Sequence, residues 1–207
     1  MRFLHIGISI LTLVVLYLTF FQVPPAEGLG YLVRIIFFHI PLAWVSVLAF
    51  IIGAYFGFKY LKTRDLKYDK FSSRSIKIGF VFVILATFSG AVFGKLTWGA
   101  YWNWDPRQTT IFILILLYGA YLTLRSAIPE DVKRAKISAI YSLFSVVSVP
   151  FLMFIVPRLY FSLHPSPILN GSAKADMEAT MLITLILAVI DATLIYVRLL
   201  YGGKNRA

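Results

Sequence analysis

Cysteine is absent from this 207-residue chain. Disulfides, thiolate metal sites and CxxC redox chemistry are therefore excluded. Acidic residues are scarce, nine against twenty Lys and Arg, and charged residues of both signs make up only 14% of a sequence that is 59% hydrophobic. So little charge rules out an ordinary soluble globular domain and points to a membrane protein. The basic excess lies between long apolar runs, the pattern of loops facing anionic lipid, so it does not imply nucleic acid. Histidine occurs three times, at His5, His39 and His164. Any redox cofactor must therefore use histidine, methionine or tyrosine ligands.

Lipid cannot satisfy a backbone that fails to bond to itself, and crossing its hydrocarbon takes roughly twenty apolar residues per helix. Six stretches qualify: Phe3 to Val23, Ile35 to Tyr60, Ile76 to Leu96, Gln108 to Leu124, Ile137 to Val156 and Met177 to Leu200. The expected fold is all-α, a single six-helix transmembrane domain over 1–207 with a tryptophan-rich extracytoplasmic segment at 95–109. The first run is read as a retained helix, not a signal peptide, because its apolar core is long and no A-x-A site follows promptly. No internal repeat or low-complexity segment occurs, and the basic stretch "KYLKTRDLKYDKFSSRSIK" reads as a solvated cytoplasmic loop.

Counting Lys and Arg by loop orients the helices. One face carries Arg2, the seven from Lys59 to Lys77, the four from Arg125 to Lys136, and Arg198, Lys204 and Arg206; the other carries only Arg34, Lys95, Arg107, Arg158 and Lys174. The positive-inside rule makes the first face cytoplasmic, with both termini inside.

Three segments with unusual residues share the outer face. "RIIFFHIPLAW" brings His39 to the mouth of the second span, two residues before Pro41, which a first helical turn tolerates. "YFSLHPSPILNG" holds His164 in a proline-rich loop. Between them "WGAYWNWDPRQT" concentrates three of the four tryptophans. Singly, an interfacial Trp is a belt anchor and a lone His is a hydrogen-bonding residue. Jointly they present two imidazoles flanking an aromatic patch. Two neutral imidazoles can bind a metal from opposite sides, and haem iron accepts axial histidine. Covalent c-type attachment to this chain is excluded by the missing cysteines. Trp98, Trp102 and Trp104 suit the flat ring, while Lys95, Arg107, Arg34 and Arg158 are candidates for its propionates. Zinc fits less well, since two histidines leave its tetrahedral shell short even if Asp105 contributes. Trp102 and Trp104 are two apart, so an extended or irregular segment places them on one side, and Trp98 to Asp105 is expected to form a short interfacial platform.

"GAVFGKLTWGAYWNWDPRQTT" resembles the signature W-G-x-x-W-x-W-D-x-R-L-T of the tryptophan-rich haem-handling superfamily of cytochrome c maturation. Size and six spans resemble its haem exporter protein C (CcmC) family. Trp98, Gly99, Trp102, Trp104, Asp105, Arg107 and Thr109 fall on signature positions, and "VRIIFFHIPLAW" and "SLHP" resemble the histidine segments that bracket it. The resemblance implies that His39 and His164 are axial ligands to haem b and that the tryptophan patch cradles the macrocycle edge. Propionates are then expected near Arg107 or Lys95. It implies a role without enzymatic activity: holding haem at the outer face of a bacterial inner membrane and presenting it to a CcmE-like haem chaperone. A small CcmD-like membrane subunit and an ABC transporter of CcmA-like and CcmB-like subunits, with the ATPase activity, are the implied partners. Gln108 departs from the signature's leucine, and "WDPRQT" leans toward "WDPKET" of the CcsA or ResC branch, so a subunit of that haem-ligation complex is one alternative. Short length and only two outer histidines favour the first reading. A b-type electron-transfer cytochrome is another alternative, but one with stacked haems needs further histidines inside the spans.

Asp191 in the sixth span, an ionisable residue in lipid, reads more simply as a hydrogen-bonded helix partner than as a proton or haem path. Pro150 and the Gly and Ser of "FSGAVFG" read as kink and close-packing devices. The Asn170-Gly171-Ser172 sequon reads as incidental.

Overall fold

The apolar runs become helices because in lipid only a helix can bond its own backbone completely. The structure is a computed structural model that describes residues 2–164 and 177–202; Lys174, the sequon, Lys204 and Arg206 lie outside the described residues. Helix α1 (Arg2–Tyr17) ends in a π-helical turn, Leu18–Gln22. A 3-10 turn, Tyr31–Ile35, leads into α2 (Ile36–Thr63), followed by α3 (Leu66–Trp98) and α4 (Pro106–Ser126). Helix α5 (Asp131–Pro150) continues through a second π-helical turn, Phe151–Ile155, into the short α6 (Val156–Leu159), and α7 (Ala179–Tyr201) closes the bundle. Six of these segments are long and apolar enough to cross a membrane, and no strand occurs among the described residues.

Helix α2 is the hub, packing on α3, α5 and α7, while α1 leans on α7 and α4 joins α3 to α5. The core between α2 and α4 centres on Phe50 and Tyr118, stacked at 3.5 Å between ring centroids. Hydroxyls tie the helices at close quarters: Ser72 donates to the Gly53 carbonyl and Ser75 to that of Ala49. Asp191 is a helix partner, accepting from the Thr12 hydroxyl at 3.1 and 2.8 Å to link α7 to α1.

Two expectations are corrected. The basic stretch around Arg64 is not a loop, because α2 runs to Thr63 and α3 starts at Leu66, ten residues before expected. Only Arg64, left-handed at φ 59°, and Asp65, which caps α3 by accepting from the Lys67 N–H, separate them. The helices persist past the apolar runs because Tyr60, Leu66 and Tyr68 still bury an apolar face with Ala135 and Ala139, and because Asp69 pairs bidentately with Arg125 at 2.7 and 2.6 Å. Pro41, in turn, lies in the second turn of α2, not the first. Its missing N–H leaves the Phe37 carbonyl without the usual intrahelical donor. At Pro150 the expected kink takes the form of a widened π turn, the usual response to an interrupted hydrogen-bond ladder. The chain then crosses in α6 to pack on α4.

Candidate functional site

The tryptophan-rich stretch is a helix end, a connector and a helix start. Helix α3 stops at Trp98 because Gly99 takes the left-handed conformation, φ 83°, that ends helices. Helix α4 starts at Asp105, whose carboxylate accepts the Arg107 N–H at 2.9 Å, with Pro106 at the first helical position. Gln108, 7% exposed, braces the connector from within, accepting from the Asn103 N–H at 2.8 Å and donating to the Tyr101 carbonyl at 3.3 Å. Trp104 sits at φ 55°, a conformation costly for a bulky residue, with its carbonyl held by the Thr109 hydroxyl. The connector is irregular, and Trp102 and Trp104 meet edge-to-face at 5.8 Å. Trp104 is 67% exposed.

Asp105 is also the hub of the His164 segment. Its two oxygens, with 1% side-chain exposure, accept from the Ser162 hydroxyl, from the Leu163 N–H at 2.7 Å and from His164 Nδ1 at 3.0 Å. Trp98 lies edge-on against the His164 ring, with centroids 5.0 Å apart. A carboxylate cannot donate, so Nδ1 carries the proton and Nε2 keeps its lone pair.

His39 is held the same way by different groups. Its Nδ1 lies 3.0 Å from both the Ala86 carbonyl and the Ser89 hydroxyl, and that hydroxyl itself donates to Ala86. The carbonyl again fixes the proton on Nδ1 and leaves Nε2 free as an acceptor. No described residue hydrogen-bonds either Nε2. Gly90 makes room for this ring, since a Cβ there would stand 3.0 Å from His39 Cε1. The contacts of His39 at Gly90 and of His164 at Trp98 are eight residues apart on α3, about 12 Å of helical rise.

The cations divide sharply. Lys95 donates to the Gly99 carbonyl and caps α3; Arg34 lies over the Tyr31 ring and reaches the Val23 carbonyl; Arg158 donates to the Phe154 carbonyl. Arg107 makes no side-chain hydrogen bond to a described residue, and its Nε is buried. It stands within electrostatic reach of both histidines, as the histidines are of each other. No cluster of three or more metal-ligating His, Cys, Asp or Glu occurs among the described residues.

His164, Trp98 and Asp105 thus join directly, with Arg107 and His39 within electrostatic reach, while Trp104 is exposed, Trp102 is half-buried between it and Phe112, and Lys95 serves the helix end. Ser89, Gly90 and Gln108 were missed as site residues. The sequence holds a signal for the first two: a small-residue pair in α3 faces the only histidine of α2.

The sequence profile of the Heme exporter protein C family matches residues 1–205. The chain belongs to that family. The Heme exporter protein C of Bradyrhizobium diazoefficiens is 29% identical over 170 residues, 82% of this chain and 64% of the relative, so the chain spans less than two thirds of that protein's length. A ccmC-like mitochondrial cytochrome c biosynthesis protein of Marchantia polymorpha is 30% identical over 179 residues, 86% of this chain and 75% of the relative. The cytochrome c biogenesis protein CcsA of Coffea arabica is 45% identical, but over only 58 residues, 28% of this chain and 18% of the relative. The lean toward the CcsA branch is therefore local, and the whole-chain match is to the Heme exporter protein C family.

The family implies haem, and the residues present fit it: two imidazoles whose Nε2 lone pairs no described residue takes and whose Nδ1 atoms are protonated and anchored, indole beside one of them, and a half-buried guanidinium with no side-chain hydrogen bond to a described residue. Burial lowers the pKa of His164 to about 4, against the pull of the Asp105 carboxylate and helped by the Arg107 charge. The ring is neutral at pH 7, as a ligand must be. This pKa lies below the usual value of 6.5, so an unfolded chain takes up the proton first, and the stabilisation is complete above about pH 6.5 and lost as pH falls toward 4. The thermal midpoint of haem-free protein is expected to drop across that window, and His164→Gln to flatten the drop. Asp105 acts at lower pH: burial alone would raise its pKa, but the Arg107 and Leu163 N–H groups, the Ser162 hydroxyl and His164 hold it below the ordinary carboxylate value.

Proposed function

We propose that this chain binds haem b through Nε2 of His39 and Nε2 of His164 and delivers it to a periplasmic haem chaperone of the CcmE type during cytochrome c biogenesis. The observation that carries the reading is the matched pair of second partners, Ala86 with Ser89 for one ring and Asp105 for the other, each fixing the tautomer that leaves Nε2 open. Bound haem would supply an iron for the Nε2 atoms of His39 and His164 to hold. Arg107 offers a propionate a half-buried guanidinium that makes no side-chain hydrogen bond to a described residue. Trp98 backs one ring, while the exposed Trp104, with the half-buried Trp102 packed edge-on against it, offers a docking surface of the residue class that dominates binding hot spots.

On the positive-inside reading this end of the bundle is periplasmic and the membrane is a bacterial inner membrane. The chain acts as a binding and transfer subunit, not an enzyme, beside a CcmD-like subunit and an ABC transporter of CcmA-like and CcmB-like subunits whose ATP hydrolysis belongs to them.

Purified protein is expected to show a bis-histidine haem spectrum, and His39→Ala or His164→Ala to lose haem or shift to a single-histidine spectrum. An unchanged spectrum in either variant rejects that ligand. Trp102→Ala with Trp104→Ala is expected to slow haem transfer to added chaperone at unchanged haem content; normal transfer removes the docking role. The short CcsA likeness supports a second reading, direct delivery to apocytochrome, and apocytochrome as acceptor in the same assay separates the two.

A further inference from the structure

At the opposite, basic end of the bundle, α3 and α4 separate to leave a cleft of about 600 Å³ closed by the start of α5. On α3 the spacing Ser73, Lys77, Val81 puts a hydroxyl, an ammonium and an apolar side chain along one helical face. On α4 Leu122 and Ser126 do likewise, with Arg125 beside them. Polar groups and charges line the outer part, and Phe80, Val81 and Leu122 line the part toward the hydrocarbon.

Charge is unbalanced there. Arg125 gives two donors to Asp69 and Arg134 pairs with Asp131, but Lys77 has no described partner and is exposed. Three cations against two carboxylates leave one positive charge. Arg125 keeps further N–H donors after its bidentate pair, because a guanidinium carries five.

We propose that this cleft binds the headgroup of an anionic phospholipid, its phosphodiester against Lys77 and the hydroxyls of Ser73 and Ser126, with an acyl chain along Phe80, Val81 and Leu122. The polarity gradient argues for a lipid over a free ion: inorganic phosphate has no use for the apolar wall, and a fully apolar ligand has none for the ammonium. The position also fits, because basic clefts between membrane helices at the basic side recognise anionic headgroups. A lipid seated there would bridge α3 and α4, reinforcing the Asp69–Arg125 link at an end remote from the histidines.

The test uses the full chain purified in neutral detergent, with lipid binding read by native mass spectrometry and by the shift in thermal unfolding. Phosphatidylglycerol is expected to bind and raise the midpoint, phosphatidylcholine to do so much less, and inorganic phosphate at equal concentration to have no effect. Lys77→Ala is expected to weaken phosphatidylglycerol binding about fivefold, the worth of one basic residue near an anionic surface. Lys62→Ala, elsewhere on the basic end, controls for bulk charge and is expected to change little. Equal loss in both variants, equal binding of phosphatidylcholine, or a phosphate effect matching the lipid's would each overturn the proposal. Haem spectra enter none of these readouts, so the result stands apart from the haem-binding reading.

Discussion

Asp105→Asn is expected to cost this protein its His164 ligand while leaving the fold and His39 in place. The carboxylate accepts from four donors: the Arg107 and Leu163 N–H groups, the Ser162 hydroxyl and His164 Nδ1. A carboxamide of the same shape has one accepting oxygen and one donating nitrogen, so two or more of these donors meet an N–H. The least costly relief is at His164, the one partner able to change tautomer. If Nδ1 surrenders its proton to accept from the amide, Nε2 becomes the N–H and can no longer ligate a metal. Loss of such an orienting partner weakens metal binding by about 10–100-fold. The absorption spectrum should move from two histidines toward one, with haem content falling by a similar factor. Asp105→Ala should go further, since it also removes the α4 cap, worth about 1 kcal/mol, and strands the Leu163 N–H at about 1–3 kcal/mol. A bis-histidine spectrum and normal haem content in Asp105→Asn would show that the carboxylate does not set the tautomer.

Asp105 also marks how far the sequence could be read. Its place beside Pro106 announced a helix start, and its share in the tryptophan signature announced a site residue. Its bond to His164, 59 positions away, depends on how the chain returns after Pro150, and no local pattern encodes that path. The six apolar runs were legible because lipid imposes one solution on each. Their ends were not, since the basic extensions of α2 and α3 are held by tertiary contacts such as Asp69 with Arg125. Gln108 stood out only as a departure from a signature. In the fold its side chain completes the connector's backbone hydrogen bonds to Tyr101 and Asn103, which a leucine could not do. Of the four candidate cations the sequence favoured Arg107 and Lys95 alike; packing separates Arg107, which makes no side-chain hydrogen bond to a described residue, from Lys95, occupied at a helix end.

Gly90→Val should remove the other ligand by steric means alone. The Gly90 Cα faces the edge of the His39 imidazole so closely that even a Cβ would lie 3.0 Å from Cε1 and 3.5 Å from Nδ1. Alanine asks the ring to yield by a few tenths of an ångström; valine adds two more carbons and forces it off its seat. Displacement breaks both Nδ1 contacts, with the Ala86 carbonyl and the Ser89 hydroxyl, which together hold Nε2 in its tautomer and direction. Haem affinity is then expected to fall about 10–100-fold, as when an orienting partner is lost, and overpacking to lower stability by about 1–3 kcal/mol. The series Ser89→Ala, Gly90→Ala, Gly90→Val separates causes: the first deletes one partner and leaves the carbonyl, so it should do least, and the last should do most. Thermal unfolding of haem-free protein measures the packing cost apart from the ligand effect. The decisive comparison places Gly90→Val in a His39→Gly background. If the valine acts by evicting the imidazole, it should add almost nothing to a haem deficit already present and should cost less stability than in the parent, because the ring it crowds is gone. An additive loss of haem in the double variant would mean that Gly90 serves the site by some route other than the seat of His39.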